Sequence, residues 1–277
     1  MGMVYIDINL FSGLSLSADE RWRRFGAITS TICLSQEGAP MKPKILLMVA
    51  CGSLALAAMW TAVCPVQAQE VKTPYPSIAP VDQYMMEREP EIALARSAAP
   101  DSISRDAEVM VLGRHGYEVA AQGKNGYVCM VERSWTAPID NAEFWNPKLR
   151  GPICFNPPAA RSYLPQTIRK TEWILAGRSK AQMFESLTAA VAKKELPPPE
   201  VGAMAYMLSK QQYLNDSAVH WHPHLMFFFP LKTTGTWGAN LPGSPVFEGQ
   251  EIQGGLTVLM VPVGEWSDGT AAPMDRH

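Results

Sequence analysis

The most concentrated set of metal-ligand residues is the stretch "HWHPH", whose three alternating histidines are His220, His222 and His224. Alternate residues of an extended chain face the same side, so the three imidazoles could converge on one ion. Imidazole nitrogen is a good ligand for Zn or Cu, and Asp216 and Glu248 are candidate fourth ligands. Pro223 can interrupt the alternation, however, and a surface loop leading into the apolar run "HLMFFF" explains the same residues. The sequence therefore leaves a Zn or Cu site and a simple loop as alternatives, and we predict no other cofactor.

A second candidate is the triplet Arg114-His115-Gly116, which matches the start of the active site of histidine phosphatases, where the histidine takes the phosphoryl group. In those enzymes the triplet follows a parallel strand and leads into a helix. Here it is followed by "YEVAAQGKNGYVC", the pattern of a strand, a tight turn and another strand. Gly113 and Gly116 flank the pair, which fits a bend between two strands. A three-residue match is weak evidence for catalysis, so we predict a strand corner here.

No further motif joins these residues into a catalytic set. The sequence contains no G-x-S-x-G elbow, no P-loop and no dinucleotide fingerprint. An enzyme would need His115, the histidines at 220–224 and an acid such as Glu132 or Asp216 in one pocket. The 24 basic and 26 acidic residues show no basic face, so we predict no nucleic-acid partner.

Residues 41–68 have the three-part pattern of an export signal. The segment begins with a methionine and two lysines, continues with an uncharged apolar run from Ile45 to Val63, and closes with the small residues of "VQA". This pattern predicts a secretory signal peptide that is cleaved after Ala68, and hence a periplasmic or extracellular protein. A retained anchor is the alternative, because an apolar run of this length can just span a bilayer. Membrane contact is therefore expected only through this segment, if it is not cleaved.

The leader sets the predicted organisation of the whole chain. We expect Met41 to be the true start and residues 1–40 to be an extension from an upstream start site. The remaining segments are predicted as an extended proline-rich linker over 69–81, a single domain over 82–265 and a frayed tail over 266–277.

Cleavage would also change the cysteine count. Three cysteines would leave with the leader, and only Cys129 and Cys154 would remain. An even pair in an oxidising compartment predicts a disulfide, with two separate buried thiols as the alternative.

The periodic segments indicate an α+β domain. Strands are predicted at 108–112, 117–121, 127–135, 203–209, 224–229 and 257–263, and longer helices at 161–176 and 179–194. Asn125-Gly126 predicts a hairpin between the second and third strands, and residues 136–160 and 231–256 are predicted as loops. Both faces of 108–112 are apolar, which predicts a covered strand. We therefore expect a mainly antiparallel sheet with two longer helices packed on one face.

Four pieces of the chain, "ALARSAAP", "VLGRHGYE", "GKNGYVCMVER" and "PHLMFFFP", resemble a group of small exported bacterial proteins with no assigned function. The resemblance covers about residues 92–263. It implies a signal peptide and a single domain, and it supplies no substrate, cofactor or catalytic residue. It also implies that the Arg114 position varies and that His220 and His222 are particular to this chain, so neither candidate site follows from the group.

We therefore expect an exported cell-envelope protein, most simply a non-catalytic binding or structural module with an envelope partner or a small ligand. The alternative is a metal-dependent or phosphate-directed hydrolase that uses His115 or the histidines at 220, 222 and 224.

Overall fold

The computed structural model describes residues 74–216, 221–232, 234–251 and 253–272. All of these residues belong to one compact unit. The predicted extension at 1–40 and the predicted signal peptide at 41–68 lie outside the described residues, as do the first residues of the linker and His220. Within the described residues, none of the helices combines the length and the apolar character needed to cross a bilayer.

A single mixed sheet organises the described chain. Its eight strands lie in the order β2-β1-β3-β4-β5-β6-β8-β7. The strands are β1 (Glu108–Leu112), β2 (Tyr117–Ala121), β3 (Val128–Glu132), β4 (Gly151–Phe155), β5 (Met204–Met207), β6 (His224–Pro230), β7 (Phe247–Glu251) and β8 (Leu256–Pro262). The β1–β3 pairing is parallel, and the other six pairings of neighbouring strands are antiparallel.

Five α-helices accompany the sheet in the described chain, which gives the predicted α+β class. They are α1 (Arg88–Arg96), α2 (Asp101–Ser104), α3 (Pro157–Ser162), α4 (Leu164–Leu175) and α5 (Lys180–Ala192). A capping box begins α5, because Gln182 N donates to Ser179 Oγ and Ser179 N donates to Gln182 Oε1. Gly177 follows α4 with φ at +85°, a conformation that glycine adopts without strain.

The helix predicted over 161–176 is divided in two at Tyr163. Pro165 lies in the first turn of α4. Proline has no N–H to donate and its ring clashes with the carbonyl four residues earlier, so one continuous helix cannot pass through this position.

Two hydrophobic clusters cover the two faces of the sheet. Alternate residues of β3 separate between them: Val128 and Met130 belong to one cluster, and Cys129 and Val131 belong to the other. The longer helices α4 and α5 contribute to the first cluster, and α1 contributes Leu94 and Ala95 to the second. Helices are therefore not confined to one face, because α1 contacts β1, β3 and β4 from the other. The prediction that β1 is covered on both faces is confirmed by its burial.

The predicted hairpin between β2 and β3 is wrong, because β2 pairs with β1 at the edge of the sheet and β3 lies on the far side of β1. The chain crosses over the start of β1 in residues 122–127. A side chain at Gly123 would come within 2.1 Å of Glu108 N, so this crossing requires glycine. Asn125 still forms a turn, since its side chain accepts from Tyr127 N and donates to Ile103 O. The local turn signal was correct, but it belongs to a crossover.

Two strands lie inside the segments predicted as loops. β4 falls within 136–160 and begins with Gly151 and Pro152, while β7 falls within 231–256 and has the sequence "FEGQE". Glycine, proline and glutamate are depleted in strands, so long-range pairing with β3 and β8 determines these two strands. In the segment predicted as a tail, Ser267 N donates to Leu208 O and Ala272 N donates to Gly264 O, so the hydrogen-bonded chain extends to Ala272.

Cys129 and Cys154 form the predicted pair. They are direct partners in the β3–β4 register, both are fully buried, and their sulfur atoms are at bonding distance. Val109 of β1 is the register partner of Cys129 of β3, and this is the last paired position of the two strands. The crosslink extends the same row of residues to Cys154 of β4.

We predict that the crosslink stabilises the fold. Replacing both cysteines by alanine opens a loop with a sequence separation of 25 residues, which should lower the free energy of unfolding by about 3 kcal/mol. Urea unfolding of the wild type, with and without a reducing agent, is the control, because reduction removes the crosslink and keeps both side chains. An unchanged free energy of unfolding after reduction would contradict the prediction.

Candidate binding cleft

Arg114 and His115 lie in the short loop between the antiparallel strands β1 and β2, where both are exposed. Gly113 N donates to Gly116 O at 2.8 Å and closes this loop. Gly116 has φ at +154°, a conformation that residues with a Cβ rarely adopt. The predicted strand corner is confirmed, and β2 rather than a helix follows it.

β1 and β3 separate immediately after they pair. Their parallel register covers only Glu108 with Val128 and Val109 with Cys129. Beyond this point Leu112 N donates to Glu91 Oε1 at 3.1 Å, and Val131 O accepts from the hydroxyl of Tyr117 at 2.7 Å. Side chains thus replace the backbone partners that these two groups would have had if β1 and β3 had stayed paired. Buried backbone N–H and C=O groups need such partners.

A buried ion pair fills the gap between these two strands. Arg133 Nη2 lies 2.8 Å from Glu91 Oε1, and the side chains are 0% and 1% exposed. Arg133 also donates through Nε to Tyr84 O at 2.7 Å and through Nη1 to Val131 O. All three guanidinium nitrogens therefore have acceptors, which offsets part of the cost of removing the charge from water.

Glu91 is less completely bonded than Arg133. Its Oε1 atom accepts from Arg133 and from Leu112 N, whereas its buried Oε2 atom has no hydrogen-bond partner among the described residues. A buried carboxylate oxygen without a donor is unfavourable, by about 1–3 kcal/mol for a polar group left unpaired. The structure therefore has an unused acceptor at this point.

Glu91 lines a cleft of about 360 Å³ between the start of α1 and the β1–β2 loop. Its apolar lining comes from Met85, Met86, Val111 and Leu112, and its other lining residues are Arg88, Gly113, Arg114 and Glu118. A smaller cleft of about 250 Å³ adjoins it on the other side of the loop and is lined by His115 and Glu172, among others. The larger cleft is thus lined by four apolar and four charged side chains together with Gly113.

The arginines of the cleft pair with exposed acids at its rim. Arg88 Nη1 lies 3.8 Å from Glu118 Oε1, and Arg114 Nη2 lies 2.9 Å from Asp82 Oδ1. All four side chains are more than half exposed, and such surface pairs contribute at most about 1 kcal/mol.

Deeper in the protein, burial and the positive charge of Arg133 lower the pKa of Arg150 to about 10, so Arg150 remains charged at neutral pH.

The predicted metal ligands differ in their surroundings. His222 is exposed, whereas His224 is buried and its Nδ1 lies 2.8 Å from His222 O. Burial lowers the pKa of His224 and favours its neutral form. No group of three or more metal-ligand residues occurs among the described residues, and His220 lies outside them. The metal site at 220–224 stays a prediction.

The candidate fourth ligands have other partners. Asp216 accepts hydrogen bonds from Tyr75, Tyr213 and Lys148, and these bonds lower its pKa to about 2. Glu248 accepts from Thr234 Oγ1 at 2.7 Å. Both carboxylates therefore already serve contacts within the fold.

The proposed hydrolytic residues are spread across the sheet. His115 follows β1 and His224 begins β6, and four strand spacings of about 4.8 Å each, or roughly 19 Å, separate these strands. Glu132 is buried at the end of β3, and neither cleft beside His115 includes Glu132, Asp216 or His224 in its lining. The described residues thus do not meet in a shared pocket.

Glu91, which lines the cleft, and its buried partner Arg133 were not among the sequence candidates. A signal was present, because Glu91 precedes Leu94 and Ala95 by three and four positions and therefore shares the buried face of α1. Arg133 continues the apolar run of β3, where a charged residue requires a partner.

The chain matches no protein-family model, no curated protein and no solved structure. The resemblance to a group of exported bacterial proteins therefore stays a prediction, and the site is interpreted from its own geometry.

We predict that Arg133→Met lowers the free energy of unfolding by about 3–5 kcal/mol, because it leaves the Glu91 carboxylate buried without its counter-charge. The double variant Glu91→Leu/Arg133→Met should be less destabilised than Arg133→Met alone. Arg105→Met is the matched control, since Arg105 pairs with Asp101 on the surface and its loss should change stability by less than about 1 kcal/mol. Urea unfolding of the wild type, Glu91→Leu, Arg133→Met, the double variant and the Arg105→Met control measures the coupling, and single effects that add fully in the double variant would contradict it.

Proposed function

We propose that this chain is an exported, non-catalytic binding module of the cell envelope, and that its ligand occupies the larger cleft beside the β1–β2 loop. The observation that carries this proposal is the chemistry of the cleft. Its lining combines apolar walls with four charged groups, and it includes no serine, threonine, cysteine, histidine, lysine or tyrosine. A pocket of this kind can orient a ligand, and its lining brings no hydroxyl, thiol, imidazole or amine nucleophile next to a base.

The separation of the hydrolytic candidates supports the same proposal. A catalytic histidine needs its acid or base within hydrogen-bond reach. His115 follows β1 and His224 begins β6, which lies four strand spacings away. Asp216 already accepts hydrogen bonds from two tyrosines and a lysine. These positions favour a binding module over a phosphate-directed or metal-dependent hydrolase.

Export is supported by two independent features of the chain. The leader at 41–68 has the pattern of a cleaved signal peptide, and the Cys129–Cys154 pair suits an oxidising compartment. We therefore propose that the protein is periplasmic or extracellular and that its domain is largely antiparallel.

The proposal predicts that the purified protein does not hydrolyse p-nitrophenyl phosphate or p-nitrophenyl acetate above the buffer rate, with or without added Zn²⁺ or Cu²⁺. The His115→Ala variant is the control, and it should behave as the wild type does. A rate that requires His115, or that appears only with metal and disappears in a His222→Ala/His224→Ala variant, would establish the hydrolase instead.

Protein isolated from its native cells tests export. Mass spectrometry of the protein isolated from its native cells should show a chain that begins at Gln69 and contains no peptide from residues 1–40. Recovery of the full-length chain from the cytosol, with Cys129 and Cys154 as free thiols, would refute the envelope location.

A further inference from the structure

We infer that the larger cleft binds an N-acylated amino acid or the carboxyl-terminal residue of a peptide, with an apolar side chain, an amide N–H and a free carboxylate. This inference rests on the proposed function and names the class of ligand. Three separate parts of the cleft match the three groups.

Glu91 offers an acceptor for a neutral hydrogen-bond donor. It lines the cleft and its Oε2 atom has no partner among the described residues, and a ligand N–H meets this buried atom when the side chain turns toward the cleft. Its negative charge is already balanced by Arg133, whose Nη2 lies 2.8 Å from Oε1. A second cation would meet the positive charge of Arg133, so an amide N–H suits this acceptor better than an ammonium group.

The rim supplies the groups that recognise a carboxylate. Arg88 and Arg114 both line the cleft, and both are paired with exposed acids whose attraction is weakened by solvent, while Arg88 also donates to Ala120 O. Guanidinium groups bind carboxylates through two parallel hydrogen bonds. Glu118 competes for the same position at 3.8 Å from Arg88, but its side chain is 66% exposed and can turn into solvent. A ligand carboxylate can therefore replace the Glu118 contact.

The remaining walls are apolar and fit a single side chain. Met85 and Met86 lie at the approach to α1, and Val111 and Leu112 come from β1. Methionine adapts its shape to different apolar groups, so these walls suit aliphatic side chains in general. The volume of about 360 Å³ is sufficient for one residue with its acyl group.

The test uses N-acetyl-L-leucine as the probe and two matched compounds, N-acetyl-L-leucinamide without the carboxylate and N-acetyl-N-methyl-L-leucine without the N–H. Binding to the purified protein is followed by NMR chemical-shift titration. We expect saturable shifts of the Leu112 and Gly113 amides with the probe, and affinities weaker by at least about tenfold for both matched compounds.

Two variants outside the buried ion pair keep the test independent of folding. Arg114→Gln should weaken the probe by about five- to tenfold, whereas Glu118→Gln should tighten it by about two- to fivefold because it removes the competing carboxylate. Arg105→Gln, the loss of an exposed arginine that does not line the cleft, should leave the affinity unchanged.

The outcomes separate this inference from the proposed function. Equal affinity for the acid and the amide, or no shift of the cleft amides up to about 10 mM probe, overturns the ligand class and leaves the binding module untouched. Release of acetate from the probe, seen in the same spectra, would instead refute the proposal of a non-catalytic protein.

Discussion

The buried pair of Glu91 and Arg133 is the interaction on which the arrangement of β1, α1 and the cleft depends. β1 and β3 share only two residues of backbone register, and then they separate. The pair occupies the gap, because Glu91 accepts from Leu112 N while Arg133 donates to Val131 O and to Tyr84 O. Two charges removed from water are costly unless their hydrogen bonds are made, and here the guanidinium has an acceptor for every nitrogen. The pair thereby joins helix, strand and entering chain at one point.

The same arrangement explains why the cleft lies where it does. Val109, Cys129 and Cys154 form one row across β1, β3 and β4. Backbone pairing joins β1 to β3 in this row, and the disulfide joins β3 to β4. Beyond that row β1 turns away with β2, and its loop forms one wall of the cleft. Tyr117 supports this departure, since its hydroxyl donates to Val131 O and burial raises its pKa, which keeps the group protonated. A rigid base and an exposed loop therefore meet at the proposed ligand site.

Local sequence patterns predicted the local structure well. The bounds of β1 and β2 agree with prediction, and α5 lies within the helix predicted over 179–194. The parallel β1–β3 pairing was not predictable in this way, because the Asn125-Gly126 turn is compatible with a hairpin and with a crossover. The close passage of Gly123 over Glu108 decides for the crossover. This contact exists only in the folded chain, so the local sequence of the turn does not reveal it. β4 and β7 were missed for the same reason, since their partners rather than their compositions make them strands.

The candidate site, in contrast, was not predictable from local sequence patterns. The spacing of the histidines at 220–224 is a local motif, yet His222 and His224 differ in burial and His115 lies in a turn. Glu91 and Arg133 are 42 residues apart and belong to no motif, so only the folded chain brings them together.

The hydrogen-exchange rate of the Leu112 amide tests this account most directly. The account predicts that Leu112 N–H, bonded to the Glu91 carboxylate instead of a neighbouring strand, exchanges as slowly as the amides of β3. Exchange as fast as that of the Arg114 amide in the exposed loop would show that the carboxylate does not hold β1, and would contradict the account.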